Sequence, residues 1–293
     1  MKVTLKCNKP FELKDLQALE ANPTVIGLQQ LVDELTLQGL RTTSHGSLTL
    51  TNLDPPVDPA HEYSNTVYDM RAWEYSRVFD ICGVRSGMRV LDCGGGSSPL
   101  DFYMAKIEAD VSAVDLQADL IENARQAASK MGWRIDTRVM DLTALDYDDE
   151  TFDVVISVSV LEHMNDELKI KGIKEMGRVL KLGGIMGITF DFGMSVGPEH
   201  RPIRSLADIR RLFVEPSGLS LYGDGKLHAT SGIQTTVTRF QYQKFPFWGG
   251  VLLERGLRWV MGKALPRYTF YSLFLEKTTS AGVVTDKEMR IDS

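Results

Sequence analysis

The chain is predicted to fold as an α/β protein, a doubly wound and mostly parallel sheet, and three features predict it. Val90-Leu91 runs into Asp92 and then three consecutive glycines, Gly94 to Gly96, the way a buried parallel strand ends in a loop that lets a ligand touch backbone. From Met88 onward, short apolar runs alternate with helical patterns. Acids stand at or just after the ends of the first three runs, at Asp92, Asp115 and Asp141.

Residues 1–85 are expected to form a helical appendage. Leu13, Leu16 and Leu19, then Leu28, Leu31, Val32 and Leu35, recur at helical spacing with a break at Asn22-Pro23. Ser47 to Thr51 alternates like a short strand and ends in the turn Asp54-Pro55-Pro56, and Tyr68 to Ile81 reads as a helix. The main domain is expected over 86–278, with a polar tail at 279–293.

After the glycine loop, Ser98 suits a helix cap and Pro99 a first helical turn, which leaves free amide N–H groups facing the crevice. Val111 to Val114 forms the second strand and closes with Asp115, nineteen residues past Gly96. An acid there, about twenty residues on, is placed to accept the two ribose hydroxyls of a nucleotide. Arg134 to Met140 is the third strand, followed by Asp141-Leu142. Phe152 to Val160 is the fourth, followed by Leu161-Glu162-His163-Met164. A helix over 166–180 is expected to close at Arg178 and Lys181 ahead of Gly183-Gly184. Ile185 to Phe190 is the fifth strand and opens into Asp191 and a loop through His200. Ser205 caps a helix to about Phe213. Pro216-Ser217-Gly218 turns into a sixth strand, Leu219 to Tyr222, and Tyr268 to Glu276 is the last. Residues 223–266 between them form an insertion in which Phe245, Phe247 and Trp248 precede Arg255, Arg258 and Trp259. Its readings are a lid, a peripheral membrane contact through 245–265, or a homodimer contact.

The spacing Asp92-x-Gly94-x-Gly96-x-Ser98 resembles the first motif of class I S-adenosylmethionine-dependent methyltransferases, with serine where that family often has a third glycine. A nicotinamide-dinucleotide loop has glycine where this chain has Pro99. With Asp115, Asp141-Leu142 and the fourth-strand block, the resemblance covers residues 88–190. It implies a seven-stranded Rossmann-like sheet whose last strand is antiparallel, and S-adenosylmethionine as cofactor. The residues it assigns to that cofactor are Asp92, Gly94, Gly95 and Gly96 at the loop, Asp115 and Leu116 at the ribose, and Asp141 and Leu142 at the adenine. Ser157 and Val158 are assigned to its methionine part through their backbone. A nicotinamide-dependent oxidoreductase and a catalytically inactive methyltransferase-like partner protein are the alternatives.

In-line methyl transfer needs no covalent enzyme intermediate, but a hydroxyl acceptor must lose a proton to a nearby base. His200 is the first candidate, with His163 and Asp191 behind it. No His, Asp and Glu spacing points to a metal. A net charge of −6 and pI near 5.5 argue against gripping nucleic acid, and Asp54-Pro55-Pro56 is followed by Val57 where a base-methylating motif carries a stacking aromatic. The expected acceptor is therefore a small molecule, by preference a hydroxyl of a metabolite, saccharide or lipid-like compound. Cys7, Cys82 and Cys93 have no paired spacing and the N-terminus lacks an apolar signal core, so a cytoplasmic location is expected.

Overall fold

The computed structural model describes residues 6–12, 15, 18–42, 48–50, 69–194, 203–229 and 267–278. His200, Asp54-Pro55-Pro56, the tail at 279–293 and all of the insertion beyond residue 229, including 245–265, lie outside the described residues. The N-terminal part supplies strand β1 (Lys9–Pro10), helix α1 (Pro23–Leu37), the antiparallel pair β2 (Leu40–Thr42) and β3 (Leu48–Leu50), and helix α2 (Asp69–Cys82). Alternation then follows through β4 (Arg89–Cys93), α3 (Pro99–Lys106), β5 (Asp110–Asp115), α4 (Ala118–Met131), β6 (Ile135–Val139), β7 (Phe152–Val158), α5 (Asp166–Val179) and β8 (Leu180–Met194). A helical segment over Leu206–Ser217, strand β9 (Ser220–Leu221) and strand β10 (Arg267–Glu276) complete the described chain.

The sheet runs β6-β5-β4-β7-β8-β10, parallel through its first five strands, with β10 antiparallel to β8 and β9 antiparallel to β10. Strand order reverses at β4, so a crevice opens where its carboxyl end parts from those of β5 and β7. Both faces are covered. Leu91, Cys93, Val155 and Ile188 face the core under α5 and the 206–217 segment, whereas Val90, Val154, Ile156 and Phe274 face Val78 of α2 and Leu100 of α3. That double burial explains why β4 and β7 read as continuous apolar runs. The seven expected strands are all present.

Two local expectations are corrected. Helix α5 stops at Val179, and Leu180 is already extended, paired with Phe152. Gly183-Gly184 therefore lies inside β8 instead of capping the helix, with Gly183 at φ +75° and its N–H donating to Lys277 O at 2.7 Å. Burial and strand pairing override the local glycine signal here. The helix after Ser205 also runs on past Phe213 and through Pro216, because a π-helical stretch over Arg210–Val214 absorbs the irregularity before Gly218 ends it at φ +68°.

The N-terminal part also supplies an edge strand, β1, antiparallel to β10. Beside it Asn8 is fully buried, its Oδ1 accepting from Phe274 N at 2.6 Å and its Nδ2 donating to Tyr222 O at 3.0 Å. Arg77 of α2 donates to the carbonyl of Cys7 and lies over the rings of Trp73 and Phe274, 5.8 and 5.6 Å from their centroids. Cys82 occupies the room left by Gly187, where a Cβ would sit 2.7 Å from its Sγ. These contacts set α2 against the sheet beside the crevice. Asn8→Ala leaves the Phe274 N–H buried without an acceptor and is expected to cost about 1–3 kcal/mol, read as a lower urea midpoint at unchanged slope.

Candidate functional site

The glycine loop is built for close approach. Gly94 sits at φ +86° with its N–H donating to Val114 O at 2.7 Å, and a Cβ there would lie 2.5 Å from Val160 Cγ2. A Cβ on Gly95 would lie 2.3 Å from Asp92 Oδ2, and one on Gly96, at φ +41°, 2.9 Å from Asp115 Oδ2. Any side chain here would have to displace the ends of β4, β5 or β7. Ser98 caps α3 as expected, accepting from Leu100 N at 3.2 Å.

Asp115 ends β5 half-exposed, one oxygen accepting from Gln117 N at 2.9 Å and the other turned to Gly96. Burial holds its pKa above the usual carboxylate value. Leu116 beside it and Val139 at the end of β6 are 67% and 55% exposed, two apolar side chains uncovered at neighbouring strand tips. Asp141 is exposed and accepts from Thr143 N at 2.8 Å, which fixes its turn. The Leu142 side chain packs into the core against Gly172, so only its backbone is free for the crevice. Ser157 is fully buried and donates to Cys93 O at 2.8 Å, tying β7 to β4, while Val158 packs toward α2 and α3. Ser159, just beyond, holds φ +54°, a conformation that costs a non-glycine residue roughly 1–3 kcal/mol.

Of the three candidate bases, Asp191 is 9% exposed and belongs to a buried charged cluster, whereas His163 sits exposed in a single 3₁₀ turn over Leu161–His163. The cluster's other members are Arg71, Glu74 and Glu162, none of them singled out by sequence. Glu74 is 1% exposed, and its Oε1 accepts from Ser159 Oγ at 2.6 Å and Thr189 Oγ1 at 2.7 Å. Arg71 Nη1 stands 3.0 Å from the other oxygen. Glu162 is also 1% exposed, and no described donor reaches its Oε2. Burial raises the pKa of both glutamates; Asp191 raises them further, and Arg71 pulls them back. Among the described residues, three carboxyls thus face one guanidinium. A second acidic pair lies under the glycine loop, where Asp101 of α3 meets Asp92, both 1% exposed. On sequence, Arg71-Glu74 is an ordinary i, i+3 helix pair and Asp101 an ordinary first-turn acid. Glu162 lay within a recognised block, Leu161-Glu162-His163, which was the one available signal.

Among the described residues, no group of three or more His, Cys, Asp or Glu side chains is arranged to hold a metal ion, and no helix is long and apolar enough to cross a membrane. The family described as methyltransferase domain matches residues 90–184. Ubiquinone biosynthesis O-methyltransferase of Methylocella silvestris is 37% identical over 100 residues, 34% of this chain and 38% of that protein. Phosphoethanolamine N-methyltransferase 3 of Arabidopsis thaliana is 34% identical over 107 residues, 34% of this chain and 22% of that protein. The matches thus span well under two thirds of either relative. The crystal structure of MccD protein shares the fold with a TM-score of 0.53 at 15% identity, over 70% of this chain and 96% of that one; at that identity the likeness speaks for the fold alone.

The raised carboxyls have a consequence for stability. A Glu whose folded pKa lies above its unfolded value favours folding below about pH 4.3, and that contribution is lost as pH rises through the folded pKa. Glu162→Gln is therefore expected to have a higher thermal midpoint than the parent at pH 8, with the difference vanishing near pH 4. Differential scanning fluorimetry across that range checks it.

Proposed function

From the class I methyltransferase domain that residues 90–184 form, we propose that the chain binds S-adenosylmethionine and methylates a small-molecule acceptor. The observation that carries this reading is the glycine loop, whose three Cα atoms leave no room for a side chain and lie against the acids ending β4 and β5. The cofactor supplies an activated methyl group on a sulfonium. The chain's residues hold and aim it.

Asp115 accepts from the ribose hydroxyls. The exposed side chains of Leu116 and Val139 flank the adenine, Asp141 and the backbone N–H of Leu142 address its edge, and the backbone of Ser157 and Val158 lines the methionine end. Fixed geometry supplies much of the rate of an in-line transfer, because the encounter entropy is removed on binding. A hydroxyl acceptor loses its proton as the bond to carbon forms. Asp191 takes it, favoured over exposed His163 by its burial beside Glu162 and Glu74. His200 stays a candidate outside the described residues. The two relatives named above act on oxygen and nitrogen acceptors respectively, and a carboxylate base serves either.

Titration calorimetry tests the cofactor reading. S-adenosylhomocysteine is expected to bind, Asp115→Ala to weaken it at least about tenfold by removing two charge-assisted hydrogen bonds, and nicotinamide dinucleotides to give no heat. Tight dinucleotide binding without sulfonium-ligand binding sinks it. Asp191→Asn is expected to keep S-adenosylhomocysteine affinity within a few-fold and to slow radiolabelled methyl transfer into a small-molecule extract by about 10²–10⁴, the usual worth of a general base.

A further inference from the structure

The turn that follows β7 lies against the glycine loop and is held at both ends. Val160 is the residue that a Cβ on Gly94 would strike, 2.5 Å from its Cγ2. Ser159 N donates to Thr189 O at 3.0 Å, which ties the start of the turn to β8, and Lys169 of α5, 1% exposed, donates from Nζ to Met164 O at 2.8 Å, which ties its end. Between these anchors two neighbouring side chains part. His163 is exposed, whereas Glu162 is 1% exposed.

The charged groups acting on Glu162 are Asp191 of β8 and Glu74 and Arg71 of α2, so its side chain is aimed into their cluster. Arg71 Nη1 stands 3.0 Å from Glu74 Oε2, and Glu74 Oε1 takes the hydroxyls of Ser159 and Thr189. No described donor reaches Glu162 Oε2. A buried carboxyl oxygen without a donor costs folding free energy, and carboxyl neighbours add to that cost. An entering anion would meet the same repulsion. A neutral hydroxyl could give Oε2 its hydrogen bond, but it would leave three carboxyls facing one guanidinium among the described residues. A protonated amine does both, because its N–H donates to Oε2 and its charge offsets the acids around it.

We infer that Glu162 is a specificity-determining residue for the acceptor, and that it selects a compound carrying a protonated amine, seated beside the glycine loop at the carboxyl ends of β7 and β8. The inference rests on the proposed methyltransferase reading and narrows its acceptor to a chemical class. The amine is the handle that docks the compound, and Asp191 keeps its part as the base.

Two readouts test it, one of them without turnover. At pH 7, with S-adenosylhomocysteine saturating and ionic strength held constant with sodium chloride, n-alkylammonium chlorides from methyl to butyl are titrated against the alcohols of the same chain length. The ammonium series is expected to raise the thermal midpoint and the alcohols to leave it unchanged. Glu162→Gln is expected to abolish that response while S-adenosylhomocysteine affinity stays within a few-fold. In the second readout, a small-molecule extract methylated from radiolabelled S-adenosylmethionine is passed over a cation exchanger at pH 7, against a control without protein that accounts for the cationic S-adenosylmethionine itself. Label is expected in the retained fraction. With that fraction as acceptor, Glu162→Gln is expected to raise KM about tenfold or more, the usual worth of one charge-assisted hydrogen bond, with a smaller effect on kcat. An equal response to the alcohols, no response to the ammonium series, an unchanged response or KM in Glu162→Gln, or label that passes through the exchanger overturns the assignment and leaves the methyltransferase reading intact. If S-adenosylhomocysteine does not bind, or no label enters any fraction, the methyltransferase reading fails and this inference falls with it.

Discussion

The constraint that organises this molecule is the removal of five carboxyl groups from water at the carboxyl ends of its central strands. Asp92 and Asp101 lie under the glycine loop, and Glu74, Glu162 and Asp191 lie beside β7 and β8, where Arg71 is the guanidinium acting on them among the described residues. Each buried acid costs folding free energy unless it is protonated, paired or hydrogen-bonded. Glu74 has one oxygen hydrogen-bonded by Ser159 and Thr189 and the other in an ion pair with Arg71. Asp92, Asp101 and Glu162 each keep at least one oxygen that no described donor reaches, and perturbed acids of this kind cluster at functional sites.

The rest of the fold can be seen as what holds those groups in place. The sheet order puts β4 between β5 and β7, so Gly94 to Gly96 bridge two strand tips and leave a crevice. Helix α2 carries Arg71 and Glu74 inward, and its position depends on Gly187 making room for Cys82 and on Arg77 gripping the backbone at Cys7. The N-terminal part is thus coupled to the site through one helix. The strained Ser159 belongs to the same arrangement, since its hydroxyl reaches Glu74 only because the chain turns there at φ +54°.

Legibility followed distance along the chain. The loop, the strands from Arg89 to Phe190, the Ser98 cap and the acid at Asp115 all rest on residues that are neighbours in sequence, and each appeared where its local pattern placed it. Where two local signals competed, pairing decided: Gly183-Gly184 looked like a helix stop, yet Phe152 and Lys277 hold that stretch inside β8. Asp141 and Leu142 sit where expected at the end of β6, but the leucine side chain is a core residue and the acid also shapes its own turn.

By itself, then, the sequence determined the order of strands and helices, the glycine loop and the acids at strand tips, because hydrophobic period and turn chemistry act over a few residues. Only the tertiary structure decided which charges are buried. Glu74 and Thr189 are 115 positions apart, and nothing local distinguishes Glu74 or Asp101 from a solvated helix acid. Desolvation is a property of everything packed around a side chain, so the acid–base character of Glu162 and the Asp92–Asp101 pair came into being only when the sheet closed over them.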